Sequence, residues 1–513
     1  MSGDRSAALI GAAVLLVASA GAAAGQPQAT RSEGRAEEEG RAASGHEAGD
    51  EKDDEDDGDA KADAEHGEKH SSRLSAERIP LQIEDFPQRP EPLLELGEPF
   101  LGTGTLSEGI ELPTGAVWQP AFLVFGSLRV AAQVFDDNDV QTIEAPARLD
   151  LFGNLQLSGT ERLVIGLRSL DEAGRFTSYV VESDGAALDE GFQDELNTRL
   201  GTLFFEGDFG EIFPNLSRSD FKATDWGFSV GRQPLVFQDG FLINDVVDGI
   251  GITRNTLLPR GTSNFRATLF YAWNNLHRAD RSAGRANLEA DDARRLALLT
   301  STDVRRSTID VDLAWLDASR DGASQLNLGL SGVQRIGKLA TSLFLAHSSA
   351  TDGEGAVATD GSLVFGEVSW IPHGTKDHPY IAAFAAFDDY APVVRDPALG
   401  GPLGRVGISF AAVGLGNYGA PLSSQARDVA GGAVGYQWFA KDKRSQWIAE
   451  LGLRVGTASD VADAAAATFR YQRAFGRRFV IVADSFVGVR ESLIPGEEDA
   501  SSFGGRLELL TKF

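Results

Sequence analysis

The chain has 513 residues, with 47 Lys and Arg against 75 Asp and Glu, a formal net charge of −28. That acidic balance excludes a nucleic-acid binder built on clustered cations, and the absence of cysteine excludes disulfides, thiolate metal sites and a cysteine nucleophile. With 42% hydrophobic residues, 58 glycines and 30 phenylalanines, the chain can build a folded body, and the mix favours strands and tight turns over helices.

Arg5 precedes an apolar stretch from Ala7 to Ala20, and Ala22 and Ala24 supply an A-x-A cleavage pattern, so residues 1–24 read as a signal peptide for export. Residues 25–78 follow as an acidic tether. Between Arg31 and His70 there is no Ile, Leu, Val or aromatic side chain, and such a stretch cannot offset its ordering entropy by burial; disorder is expected. His46, His66 and His70 lie in it among carboxylates, a composition able to attract divalent cations. The calcium-loop pattern that starts at Asp53 fails at its twelfth position, where Ala64 stands in place of a bidentate Glu. No metal site and no cofactor is assigned.

Residues 79–117 are rich in proline. Pro80, Pro87, Pro90, Pro92 and Pro99 forbid a regular helix, while Leu93, Leu94, Leu96, Phe100 and Leu101 need a surface to pack on, so this piece should dock on or inside the folded body.

From Trp118 to Phe513 the pattern has period two, and no apolar run of 18 residues occurs that would suggest a spanning helix. Leu149, Leu151, Leu155 and Leu157 share one face, with Arg148, Asp150, Asn154 and Gln156 on the other. After the short SGTE, Leu163, Ile165 and Leu167 alternate with Arg162, Gly166 and Arg168, which reads as a hairpin. The signature returns at Phe265–Trp273, at Ile309–Trp315 against Asp310 and Asp312, and at Trp447–Val455 against Glu450 and Arg454. Trp273, Trp315, Trp370, Tyr380 and Trp447 fall at strand ends, where a ring with an apolar body and a polar edge suits a membrane boundary.

Such strands fit either a two-sheet sandwich or a barrel whose apolar face meets lipid. Strand length favours the barrel, since Gln446–Gly456 matches the roughly 9–11 residues that cross a bilayer at a tilt. Loop asymmetry does too: SGTE and 441–444 are short, whereas the stretches around His277 to Arg306 and Asp388 to Arg405 are long and polar. The chain end, FGGRLELLTKF, alternates Phe503, Leu507, Leu509, Thr511 and Phe513 with Arg506, Glu508 and Lys512. It resembles the terminal strand of bacterial outer-membrane proteins, and the resemblance implies that Phe513 is read by the barrel-assembly machinery. The expected fold is therefore all-β: a transmembrane antiparallel up-and-down β-barrel of about 16–18 strands over residues 118–513, behind a disordered acidic segment. The expected location is the outer membrane of a Gram-negative cell, with 79–117 as a periplasmic linker or a plug.

One stretch, DWGFSVGRQPLVFQDGFLINDVVDGIGIT from Asp225 to Thr253, resembles the outer-membrane alginate-export family in Gly231, Arg232, Gln233, Phe237, Asp239, Asp248 and Gly249. The resemblance implies a large barrel that passes polysaccharide through an arginine-lined, anion-selective lumen. By parity, however, Arg232 shares the apolar face of Trp226, Phe228 and Val230, which places it at a strand end, a bulge or an interface.

Parity puts Arg148, Arg162, Arg168, Arg266, Arg454, Arg470, Arg490 and Arg506 on the polar face, with Asp150, Asp310, Asp312, Glu450, Asp484 and Glu508. The leading expectation is a porin-like channel for small hydrophilic solutes. Arginines in excess on that face would favour anionic sugars or oligosaccharides; opposite charges bridging neighbouring strands would instead only stiffen a wet lumen. Catalytic signatures are missing: GLGNYG at 414–419 is followed by Ala420 and Pro421 where a helix should begin, and no H-E-x-x-H, G-x-S-x-G or P-loop occurs. Two other readings stay open, a structural barrel whose acidic, His-containing arm binds periplasmic partners or cations, and a rim hydrolase built from Ser, His347 and Asp. The expected partners are the outer-membrane bilayer, the assembly machinery and the solute, with no nucleic acid; the sequence leaves the oligomeric state open.

Overall fold

Alternating polarity drives eighteen segments to pair edge to edge, because each can give one face to hydrocarbon and the other to a polar interior. The computed structural model describes residues 89–97, 108–137, 140–172, 174–182, 190–216, 224–279, 287–289, 293–318, 324–352, 358–440 and 443–513. Expectations for residues 1–88 and 98–107, the signal peptide, the tether and its histidines among them, lie outside the described residues.

The barrel strands are β1 (Ala121–Asp137), β2 (Gln141–Gln156), β3 (Arg162–Arg168), β4 (Leu200–Asp208), β5 (Gly227–Phe237), β6 (Ile243–Leu257), β7 (Asn264–Asn274), β8 (Arg294–Val304) and β9 (Ser307–Asp317). They continue as β10 (Ser324–Ile336), β11 (Leu339–Asp352), β12 (Gly361–Trp370), β13 (His378–Asp389), β14 (Arg427–Phe439), β15 (Ser445–Gly456), β16 (Ala464–Phe475), β17 (Phe479–Arg490) and β18 (Ala500–Lys512). Each pairs antiparallel with its neighbour in this order, and β18 returns to β1 from Ser502↔Asp137 to Lys512↔Ser127, which closes the wall and leaves no open edge along this register.

Exposure follows parity. Leu269, Tyr271 and Trp273 on β7, Val311, Leu313 and Trp315 on β9, and Leu451 and Leu453 on β15 stand exposed. Their alternates Phe270, Ala272, Asp312, Ala314, Glu450 and Arg454 are buried. Apolar rows with nothing packed over them are what a sheet bathed in hydrocarbon presents. Among the described residues, no helix is long and apolar enough to cross a membrane.

Trp273 and Trp315 sit near one rim and Trp226 and Trp438 near the other. Tyr380 departs from the expected girdle. It is 6% exposed and faces inward, because its register partner is Gly435, whose missing Cβ would lie 2.2 Å from the phenol ring.

One end carries mostly short turns, such as 305–306, 337–338 and 476–478; the other carries mostly long connections. The stretch expected as one long loop from His277 to Arg306 contains β8, so it crosses the wall and returns by a short turn on the opposite side. A loop strand, Arg175–Glu182, pairs with Thr142–Ala147 and extends the wall above β3. At the short-turn end, Leu94–Leu96 pairs antiparallel with Phe122–Val124, so this part of the proline-rich segment adds to the wall. It lies beyond Phe513, whose N–H donates to the Gly126 carbonyl at 3.1 Å and whose carbonyl accepts from the Gly126 N–H at 2.7 Å.

Candidate functional site

Two pieces of chain leave the wall and enter the interior. The first is the β5–β6 hairpin. β4 pairs with β5 only from Gly227 to Arg232, and β7 pairs with β6 only from Asp248 onward. Beyond those residues the two strands pair with each other, and Ile243–Asn244 runs parallel to Val394–Arg395. Gly231 makes the bend possible: its φ is 121°, and a Cβ there would lie 2.2 Å from the Leu203 carbonyl oxygen. The tip is deeply covered, with Phe241, Leu242 and Ile243 at 0% exposure. Phe241 packs on Phe344 and Phe365, 5.2 and 4.9 Å between centroids, on the inner faces of β11 and β12. Gln238 donates to Asp312 on β9 at 2.9 Å.

The second piece is the connection 390–426. Its first part, to Arg405, reads as a long polar loop by sequence, yet Leu403, Phe410, Leu415 and Leu422 of the connection are almost fully buried. Phe410 meets Phe384 edge-on, and Tyr418 sits between Phe135 and Phe486. Polar hooks tie the loop down around the interior. The Tyr390 hydroxyl donates to the Phe241 carbonyl at 2.8 Å, and Arg395 donates to the Gly240 carbonyl at 2.8 Å. Arg405 bridges Glu367 at 2.8 Å and Asp239 at 3.4 Å. Glu450 accepts from the Ile408 and Ser409 N–H groups at 3.0 and 2.7 Å, and from the Tyr380 hydroxyl. Glu144 accepts from the Asn417 N–H at 2.7 Å, and Arg129 and Arg148 donate to the Gly414 carbonyl at 3.2 and 3.1 Å.

Five inner arginines, on β16, β18, β1, β2 and β3, form a belt in which each is answered by a carboxylate. Arg470 and Arg506 share Asp484, and Arg506 also meets Glu508. Arg129 bridges Glu508 at 2.6 Å across the closing seam. Arg148 holds Asp150 at 2.9 Å, while Arg168 reaches Asp150 at 3.6 Å and Asp171 and Asp396 at 3.1 Å each. Burial pushes the Asp396 carboxyl up, but Arg168 and the Ala398 N–H outweigh it and hold the group below its ordinary value. At Asp171 burial wins over Arg168 and Arg148, so that carboxyl sits above its ordinary value.

The other residues singled out by sequence are spread along the wall. Arg162 meets Glu206 near the short-turn end. Arg266 has the same parity as buried Phe270 and Ala272 and is exposed. Asp310 accepts from Ser331 at 3.3 Å. Arg454 is buried and donates to the Ala462 carbonyl at 3.4 Å; Arg490 is exposed at the long-loop end. Of the motif residues, Arg232 and Asp248 pair at the bend, Gln233 donates to the Gly249 carbonyl at 3.3 Å, and Asp239 meets Arg405 at the tip. His347 faces outward, its Nδ1 3.0 Å from the Ser362 hydroxyl. Sequence reasoning passed over Arg129, Glu144 and Asp396. Arg129 was readable from its alternation with Leu128 and Val130; the other two act through loop contacts that periodicity does not encode.

Where the bent hairpin, the inner loop and the wall meet, a small cavity of about 60 Å³ opens between Arg168, Asp171, Arg199, Asp245, His277 and Asp396. Arg199 donates to Asn275 at 2.9 Å across the gap above the bend, and Asp245 lies 2.9 Å from His277 Nδ1.

Fold and site together define a transmembrane β-barrel with a charge-lined, internally narrowed lumen. No family model matches the sequence, and no curated protein matches it. Solved structures of similar fold include Pseudomonas aeruginosa OccK2 (OpdF), at 12% identity and a TM-score of 0.48 over 76% of this chain and 97% of that one. P. aeruginosa OccK5 (OpdH) is similar at 12% identity and 0.46, over 76% and 98%. The outer membrane protein OpdK of the same organism is similar at 11% identity and 0.46, over 76% and 98%.

Proposed function

We propose that the protein is an outer-membrane channel for small hydrophilic solutes, and that the β5–β6 hairpin and the 390–426 loop set its constriction. The observation that carries this reading is the ring of hooks on the loop, from Arg168 and Glu144 through Arg129 to Glu450 and Glu367. A structural barrel has no need to hold an inner loop in one conformation at so many points of its wall. Fixed polar groups around a narrow passage select solutes by size and hydrogen bonding.

Because each arginine of the belt faces a carboxylate, the reading favours a channel of weak charge preference over a strongly anion-selective one. The likeness to the alginate-export family rests on residues that shape the bend, Gly231, Arg232, Asp248 and Gly249, and so supports a shared way of narrowing the lumen more than a shared polysaccharide. The pairing of Phe513 with Gly126 of β1 supports the assembly-signal role. The test is liposome swelling with the purified full chain, using neutral, anionic and cationic solutes of matched size, alongside planar-bilayer conductance. Absence of conductance from correctly closed barrels would overturn the channel.

A further inference from the structure

In a chain of net charge −28, the short turns at one end of the barrel carry almost only cations. The six hairpin turns from β6–β7 round to β16–β17 hold Arg260, then Arg305 and Arg306, then Lys338, Lys376 and Lys443 in succession, ending in the pair 477–478. All six of the named residues are exposed, and no ion pair joins any of them to another described residue. The one described acid in these turns, Asp377, is occupied by the Tyr436 hydroxyl and the Phe439 N–H. At the opposite rim one connection is acidic, with Glu491, Glu497, Glu498 and Asp499 together.

These cations border exposed apolar side chains. Leu258 precedes Arg260, Ile371 precedes Lys376, and Phe475 and Phe479 flank Arg477 and Arg478; all four apolar residues are exposed. Arg473 lies over the Phe475 ring at 5.2 Å. An apolar band ending in long basic side chains is the arrangement that seats a stem in acyl chains and its charge among headgroups. The arc also accepts an anionic oxygen where the chain supplies one, since Glu91 Oε1 lies 3.0 Å from Arg477. The remaining third of the rim, with Glu161 and Glu211, lacks the pattern.

We infer that this arc, over twelve of the eighteen strands, is a docking surface for the phosphates of an anionic phospholipid leaflet. The contact fixes the depth of the barrel and adds stability that depends on lipid charge. The full-length protein is reconstituted into phosphatidylcholine vesicles containing increasing phosphatidylglycerol, and its unfolding temperature is measured. It should rise with phosphatidylglycerol, and the rise should vanish in about 1 M salt, where the screening length falls to about 3 Å. The R305Q/R306Q/K338Q/K376Q variant should lose most of the rise, and the corresponding Glu variant should be destabilised by the anionic lipid. If the Glu variant does not fold, the Gln variant and the salt series still decide. Insensitivity of the wild type to phosphatidylglycerol overturns the proposal. So does an equal rise in pure phosphatidylcholine on adding soluble polyphosphate, which would assign the arc to a soluble polyanion.

Discussion

Arg232 and Asp248 join the two strands of the inward hairpin at the level where it leaves the wall, through two hydrogen bonds of 2.8 Å each. Asn274 adds a third bond to the same carboxylate at 3.2 Å and so ties the bend to β7. Asp248→Ala removes the paired carboxylate from the Arg232 guanidinium, which keeps its bond to the Leu200 carbonyl. It should cost about 1–3 kcal/mol of stability, seen as a lower unfolding temperature, and should make single-channel current noisier as the hairpin loosens. An unchanged current trace would mean that the hairpin is held elsewhere.

Glu450 is the anchor with the most at stake, since it satisfies two loop N–H groups and the Tyr380 hydroxyl at once. Removing it orphans all three donors in a buried site. Glu450→Ala is expected to raise single-channel conductance by letting the loop swing aside, whereas Tyr380→Phe, which deletes only one donor, should leave conductance near the wild-type level. Equal conductance in wild type and E450A would show that the loop does not limit flow.

The belt makes a prediction about charge. Arg148→Gln removes one cation and leaves Asp150 to Arg168 alone. Reversal potential under a salt gradient should move toward cation selectivity. Arg490→Gln, at the exposed rim, should move it much less.

Acid tests the inner loop separately. Asp396 is held below the ordinary aspartate value of about 3.9, so its contribution to stability is complete above that pH and is lost as pH falls through the depressed value. Asp171 has the opposite sign: its carboxyl is raised, and the folded state gains relative stability as pH falls through that value. Between pH 7 and about 5 the Arg168–Asp396 hook should therefore hold, with noise appearing only below about pH 4. Asp396→Asn should show that noise at neutral pH. Bilayer recordings across this range decide it.

Much of the wall was legible in the sequence, because period-two alternation reports the two faces of a strand directly. Leu451 and Glu450 fall on opposite sides as their spacing dictates. What fills the barrel was less legible. Parity says that a residue faces inward, but not whether it meets water or a folded-in segment, so Glu450 reads as open lining when it is a clamp. The signal was present in composition: Phe241 and Leu242 at a hairpin tip, and Leu403, Phe410 and Leu422 in a connection, are poor choices for exposure to water. The bend at Gly231 was hidden because one glycine among 58 carries no mark of its backbone angle.

The Arg129–Glu508 pair spans 379 positions of chain. Until residue 508 has been synthesised, β1 from Ser127 to Asp137 has no mate on that side, and every shorter nascent chain leaves the wall open there. Loop closure on that scale is slow, and a half-built ribbon with one oily face is aggregation-prone in water. Closure of the wall therefore has to wait until nearly the whole barrel sequence has been made.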